Sequence, residues 1–285
     1  MDEPAKEIES GLYDRNLARP TVGWRRCCGV LAGLLLLVVD ARADLATGQQ
    51  AFKARDYGLA VQAFAPAAEA GDATAQYYMG LLYERGWGLV PDFAKAASWY
   101  TKAAVQGNPK AQHNLGTLLQ DGRGAPRDLP AAIDWYGRAA AQGSAKSALR
   151  LGALYFSGQG TERDFNAARQ WWERAYAGGE ADAAYNLGIM ARRGFGMPRD
   201  AASAFKWWEK AARAGSPLAR NALGELYLRG EGVPPDPLAA WAWFTLAADA
   251  GVTAAAQSAA LLGANFNDKM LAAARARAAE FASPP

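Results

Sequence analysis

ATAQYYMGLLYERGWGLVPDFAKAASWYTKAAVQGN, residues 73 to 108, is the first of five consecutive segments written to one pattern. Gly80, Gly116, Gly152, Gly188 and Gly224 recur every 36 residues, and Gly86, Gly122, Gly158, Gly194 and Gly230 keep the same step. So do Trp99, Trp135, Trp171, Trp207 and Trp243. A fixed period of this size marks a stacked array, in which each unit is too small to bury its own apolar face and neighbours complete the core.

Within the quoted unit, Ala75, Met79, Leu82 and Tyr83 fall at i, i+4, i+7 and i+8, one stripe of a helix. Gly80 stands inside that helix, where glycine costs about 1 kcal/mol relative to alanine. Repeated five times, that cost implies close approach of a second helix, and Trp99 is the ring expected to fill the space. Gly86 to Pro91 reads as a left-handed cap followed by a short connection. Asp92, with Asp128, Asp164, Asp200 and Asp236 in the later units, is placed to cap the second helix. That helix carries Ala96, Trp99, Tyr100 and Ala103 on one face and stops at Gly107. The unit is an antiparallel helix pair. Truncating a core tryptophan costs roughly 3–5 kcal/mol, so Trp171→Ala is expected to damage the array more than the loss of an exposed charge.

In consensus the units read A-x-x-x-L-G-x-L-Y-x-x-G-x-G-x-x-x-D-x-x-x-A-x-x-W-Y-x-K-A-A-x-x-G. This closely resembles the Sel-1-like repeat, a longer relative of the tetratricopeptide repeat, over 73–108, 109–144, 145–180, 181–216 and 217–252. Trp172, Trp208 and Phe244 replace the usual tyrosine. The resemblance implies an all-α fold, a right-handed α-solenoid of stacked antiparallel helix pairs, and an adaptor that holds proteins together. Upstream, Gly48, Asp56, Tyr57, Ala60, Phe64 and Ala67 have the spacing of a tetratricopeptide unit, so 44–72 reads as a leading helix pair. Downstream, 253–285 reads as two closing helices, with Arg275, Arg277 and Glu280 available to face water. Terminal units of an array need such caps.

Residues 1–43 read as a polar extension and a secretory signal. Arg25 and Arg26 precede an apolar run from Cys28 to Val39, and Ala41-Arg42-Ala43 supplies small residues two apart, so cleavage is expected after Ala43. The run is shorter than the roughly 20 apolar residues of a spanning helix. Periplasmic or secreted localisation follows, with no stable membrane span once the segment is removed. Retention as an anchor is the competing possibility. Both cysteines lie in this segment, so the remaining chain has none for disulfides, thiol catalysis or cysteine zinc sites. Beyond residue 43, 25 basic residues face 22 acidic ones without a basic run, which argues against nucleic acid as a partner.

No catalytic, cofactor-binding or metal-binding residue is expected. His113 is the only histidine and has no cysteine or second histidine to form a metal site or triad. The five recurring aspartates lie about 10 Å or more apart in stacked helices, too far to share one ion. Ser203-Ala-Phe-Lys206 matches the S-x-x-K pattern of penicillin-recognising enzymes, but its K-T-G and S-D-N partners are absent. A hydrolase acting on a beta-lactam or the cell wall is therefore the weakest alternative.

A curved stack presents a groove along its first helices. Tyr77, Leu81 and Glu84 form a stripe there, as do His113, Thr117 and Gln120, then Tyr185, Ile189 and Arg192, then Asn221 and Glu225. These side chains vary between units while the glycines and tryptophans stay fixed, as a recognition surface would show, with an ordinary solvated face as the alternative. The expected function is an exported protein-binding scaffold with an unidentified protein partner, regulating an envelope complex or membrane sensor. A binding factor facing the host or the cell wall is the alternative.

Overall fold

A computed structural model describes residues 44–282 of the chain. The expected signal segment and its cleavage point lie outside the described residues. The described residues form fourteen helices and no strand, starting with α1 (44–53) and α2 (Tyr57–Glu69). Five pairs follow: α3 (Ala73–Arg85) with α4 (Phe93–Val105), α5 (Pro109–Asp121) with α6 (Leu129–Ala141), and α7 (Ala145–Ser157) with α8 (Phe165–Ala177). The fourth and fifth are α9 (Ala181–Arg193) with α10 (Ala201–Arg213) and α11 (Pro217–Arg229) with α12 (Pro237–Asp249). α13 (Thr253–Gly263) and α14 (Asp268–Ala282) close the stack. Consecutive helices pack on one another from α2 to α13 and α14 packs back on α12, which makes the described chain an α-solenoid.

Local chemistry sets the boundaries. Asp92, Asp128, Asp164 and Asp200 each accept the backbone N–H three residues ahead, and Asp236 accepts from Leu238 and Ala239, satisfying donors that a helix start leaves free. Gly86 ends α3 in the left-handed conformation at φ 69°, its N–H donating to the Leu82 carbonyl. Gly124, two residues beyond the equivalent cap in the next unit, has a different duty. A side chain there would meet the backbone carbonyl of Phe93 in the preceding unit.

The ring that fills the helical notch is not the expected one. A Cβ on Gly80 would come within 2.5 Å of Tyr100, and one on Gly152 within 2.4 Å of Trp172. Tyr136, Trp208 and Phe244 fill the notches at Gly116, Gly188 and Gly224, and Phe64 does the same for Gly48 in the leading pair. The notch ring is thus the residue after each recurring tryptophan. Tyr100, Tyr136, Trp172, Trp208 and Phe244 are buried, whereas Trp99, Trp135, Trp171 and Trp207 are only half-buried. Those four pack on the cluster shared with the neighbouring pair, and Trp207 meets Tyr176 of α8 edge-on at 5.6 Å. Their outer faces carry cations three residues on, namely Lys102, Arg138, Arg174 and Lys210, at 4.1–4.8 Å from the ring centres.

Trp243 is the exception, buried because α14 folds back over it. Phe281 stacks on its ring at 4.4 Å, and Arg277 pairs with the capping carboxylate of Asp236. Arg277 is therefore not a free solvated charge, as the sequence suggested, but part of the terminal seal.

A ladder of glutamines adds a polar link between early units. Gln76 donates to the Ala68 carbonyl at the end of α2 and accepts from Gln106, which caps α4, at 2.8 Å. One unit later Gln112 donates to Ala104 and accepts from Gln142 at 2.9 Å. Both Gln76 and Gln112 are buried, so these bonds satisfy groups that would otherwise be stranded.

Candidate functional site

The first helices α3, α5, α7, α9 and α11 align so that their equivalent faces border a row of open clefts. One of about 600 Å3 lies between α3, α5 and α7, walled by Tyr77, Arg85, Lys110, His113, Asn114 and Lys146. The next, about 490 Å3, runs from His113 across Leu149, Arg150 and Ala153 to Asp182, Tyr185 and Leu218. A third, about 290 Å3, gathers Tyr185, Ile189, Arg192, Trp208, Asn221 and Glu225. A small apolar hollow of about 200 Å3 sits between Ala153, Phe156, Trp172, Asn186 and Ile189.

The structure therefore brings Tyr185, Ile189, Arg192, Asn221 and Glu225 onto one wall and places Tyr77 and His113 on another. Leu81, Glu84, Thr117 and Gln120 lie on none of these walls. Glu84 accepts the Tyr100 hydroxyl at 2.7 Å, and the Tyr136 hydroxyl lies 2.9 Å from Gln120 Oε1 and 3.1 Å from the Thr117 hydroxyl. Leu81 packs against the core around Tyr100. These side chains anchor the polar ends of the notch rings. In later units the indole takes that part, Trp172 Nε1 donating to the Leu149 carbonyl at 3.2 Å and Trp208 Nε1 to the Tyr185 carbonyl at 2.9 Å. Trp172 and Trp208, which weld their pairs, thus also line the clefts.

Sequence reasoning passed over the middle unit, where Leu149, Ala153 and Phe156 occupy the same stripe and line the clefts. The 36-residue step would have found them. It also passed over Lys110, Lys146 and Arg150 on the flank of the stripe. Arg192 is both wall and strut: it reaches Glu225 at 3.3 Å and Glu231 at 3.0 Å and lies 5.7 Å over the Trp208 ring, joining α9 to the following pair.

Burial keeps the phenols and the imidazole of the groove neutral. Burial raises the phenols of Tyr77, Tyr136 and Tyr185 above their ordinary value, and burial together with Glu84 raises Tyr100 further. Burial, then the charges of Arg150 and Lys146, pushes His113 down to about 4. Its Nδ1 lies 2.9 Å from the Ser147 hydroxyl and its ring tilts against Tyr136. At neutral pH the groove therefore offers hydroxyls, amides and a neutral imidazole, flanked by fixed charges.

Chemistry elsewhere is spoken for. The Ser203 hydroxyl donates to Asp200, the carboxylate that caps its own helix, so the S-x-x-K match is a capping arrangement. Among the described residues no group of three His, Cys, Asp or Glu side chains is placed to hold a metal ion, and no helix is long and apolar enough to cross a membrane.

The Sel1 repeat matches five times in succession, at residues 73–108, 109–144, 145–180, 181–216 and 217–252. The chain belongs to the Sel1 repeat family. Among solved structures, the Sel1 array is similar to c5321, a protective antigen present in uropathogenic Escherichia coli strains that displays an SLR fold. Identity is 33% and the TM-score 0.76, over 84% of this chain and 53% of that one, so the chain spans about half of c5321. It is also similar to a Sel1 repeat protein from Oxalobacter formigenes, at 32% identity and a TM-score of 0.71, covering 74% of this chain and 87% of that one. A search of curated proteins returned no match. Sel1 repeats suggest a protein–protein interaction scaffold, and the family is typically non-catalytic.

Proposed function

We propose that the protein is an exported scaffold that seats a segment of a partner protein in the groove along α3, α5, α7, α9 and α11. The observation that carries this reading is the division of labour within each repeat. Notch glycines and rings recur in every unit, while the cleft walls change from Tyr77 and Lys110 to Leu149 and Arg150 to Tyr185 and Asn221. A surface under packing constraint alone would repeat with the fold. Recognition is what rewards a wall that differs at each step.

Export rests on the charged, apolar and small-residue order of residues 25–43. In the envelope such a scaffold would regulate a complex or a membrane sensor by holding one component. The similarity to c5321, a protective antigen, favours the companion reading of a factor that works outside the cell. Fractionation combined with amino-terminal sequencing separates these readings. A periplasmic product starting at Asp44 supports the first, the same product in the medium supports the second, and an intact chain in the cytoplasm rejects both. The groove itself is tested with a photoreactive residue at Leu149, against a control at exposed Glu173. A defined adduct from Leu149 alone is expected, and equal adducts from both positions would reject the groove.

A further inference from the structure

The cleft between α3, α5 and α7 has cations on three of its elements, Arg85, Lys110 and Lys146, and no carboxylate on its wall. Arg150 extends the same charge into the adjoining cleft. Lys110, Lys146 and Arg150 are exposed, and no carboxylate lies within ion-pair distance of them among the described residues. Lys110 lies 5.9 Å over the Tyr77 ring, which leaves its charge unneutralised, whereas Lys102, Arg138, Arg174 and Lys210 cover tryptophan rings more closely and Arg192 is neutralised by Glu225 and Glu231. Glu84, the one acid on this part of the stripe, already accepts from Tyr100 and sits 3.8 Å from Arg85. The helix starts at the cleft are also satisfied, α5 by the Asn108 side chain and α7 by Ser144, so an incoming anion meets side-chain cations rather than free backbone donors.

We propose that this cleft binds the carboxylates of an acidic, extended peptide segment of the partner. The inference rests on the scaffold reading above and adds the chemistry of the occupant. Concentrating uncompensated ammonium and guanidinium groups around an open cleft raises the local concentration of an acidic segment and speeds its encounter. Further along, the charge changes character. Glu180 and Asp182 border the middle cleft, and beyond them Tyr185, Ile189, Trp208 and Leu218 supply apolar surface beside Asn221, with half-buried Arg192 neutralised by Glu225 and Glu231 and Arg193 at the exposed edge. The occupant therefore carries its acidic residues toward the first three units and an apolar side chain toward the last two. A segment placed in the opposite direction would put its acids against Glu180 and Asp182.

The test is selection of random displayed peptides on the full chain, with the charge-reversed variant Lys110→Glu/Lys146→Glu selected in parallel. Both substitutions are at exposed positions, and unchanged circular dichroism confirms folding. The selected pool is expected to be enriched about threefold in Asp and Glu, and its best peptides to bind the charge-reversed protein at least about tenfold more weakly. Raising salt from about 0.05 to about 0.3 M weakens the same peptides. The ring signals of His113, the only imidazole of the chain, report the site directly and shift on binding. The charge-reversed protein is expected to select basic residues instead. A pool without acidic enrichment, or one indifferent to charge reversal, that is nevertheless lost in Tyr185→Ala, overturns the acidic assignment and leaves the scaffold reading standing. A pool indifferent to all of these substitutions overturns both.

Discussion

Tyr100 occupies the space that a side chain on Gly80 would need, with its ring 2.5 Å from where a Cβ would stand. The same relation joins Gly152 to Trp172 and Gly188 to Trp208, each indole also bonded to a carbonyl of the facing helix. Adjacent tryptophans in the later units thus have unequal roles. Trp172→Ala should cost about 3–5 kcal/mol and Trp171→Ala about 1–2 kcal/mol, because the second ring is only half-buried. Urea unfolding of both variants checks the order, and equal losses would contradict the division of roles.

The glutamine ladder supplies a second prediction. Gln112→Ala removes a side-chain donor to the Ala104 carbonyl and the acceptor of the exposed Gln142 amide, and should destabilise the array by about 0.5–1.5 kcal/mol. Hydrogen exchange is expected to rise first at the end of α4 and in α5. Exchange unchanged there, with exchange raised elsewhere, would show that the ladder does not link these units.

His113 predicts a dependence on pH. The folded chain holds it at about 4, against about 6.5 when unfolded, through burial and the facing Arg150 and Lys146. Between those values the unfolded chain binds more protons, so stability is full above pH ~6.5 and falls as pH drops toward ~4, by about 1–3 kcal/mol after allowance for partial exposure. His113→Gln should flatten that part of the stability curve. A slope retained in the variant would assign it to other groups.

The terminal seal gives a fourth prediction. Phe281→Ala uncovers the buried face of Trp243 and should lower stability by about 2–4 kcal/mol, with proteolysis starting in α14. Cleavage that begins instead in the leading pair would place the weak end of the stack elsewhere.

Much of this architecture was legible in the sequence because its signals are local. Gly86 and Asp92 end one helix and begin the next by their own backbone and side-chain chemistry, and the 36-residue step copies the result. The choice between Trp99 and Tyr100 for the notch was not legible. Neighbouring residues differ by about 100° around a helix, both are large and aromatic, and only the crossing of α3 and α4 decides which one enters. The glutamine ladder leaves a fainter trace, since Gln76 and Gln112 repeat but their later counterparts are Ala148, Ala184 and Arg220. On the groove, the stripe of Tyr185, Ile189 and Asn221 could be read from helical spacing. The part played by Glu84 and Gln120 could not, because it depends on where a phenol hydroxyl from another helix arrives.

Gly124 and its counterparts Gly160, Gly196 and Gly232 touch the preceding unit where its second helix begins, at Phe93, Leu129, Phe165 and Ala201. Each acts as a shim of zero thickness between adjacent hairpins. An alanine at any one of them would not dissolve the hairpin it belongs to, but would tilt it away from its neighbour and open the angle of the stack at that step. The pitch of the whole superhelix, and with it the breadth of what it can embrace, is therefore adjustable one bare residue at a time.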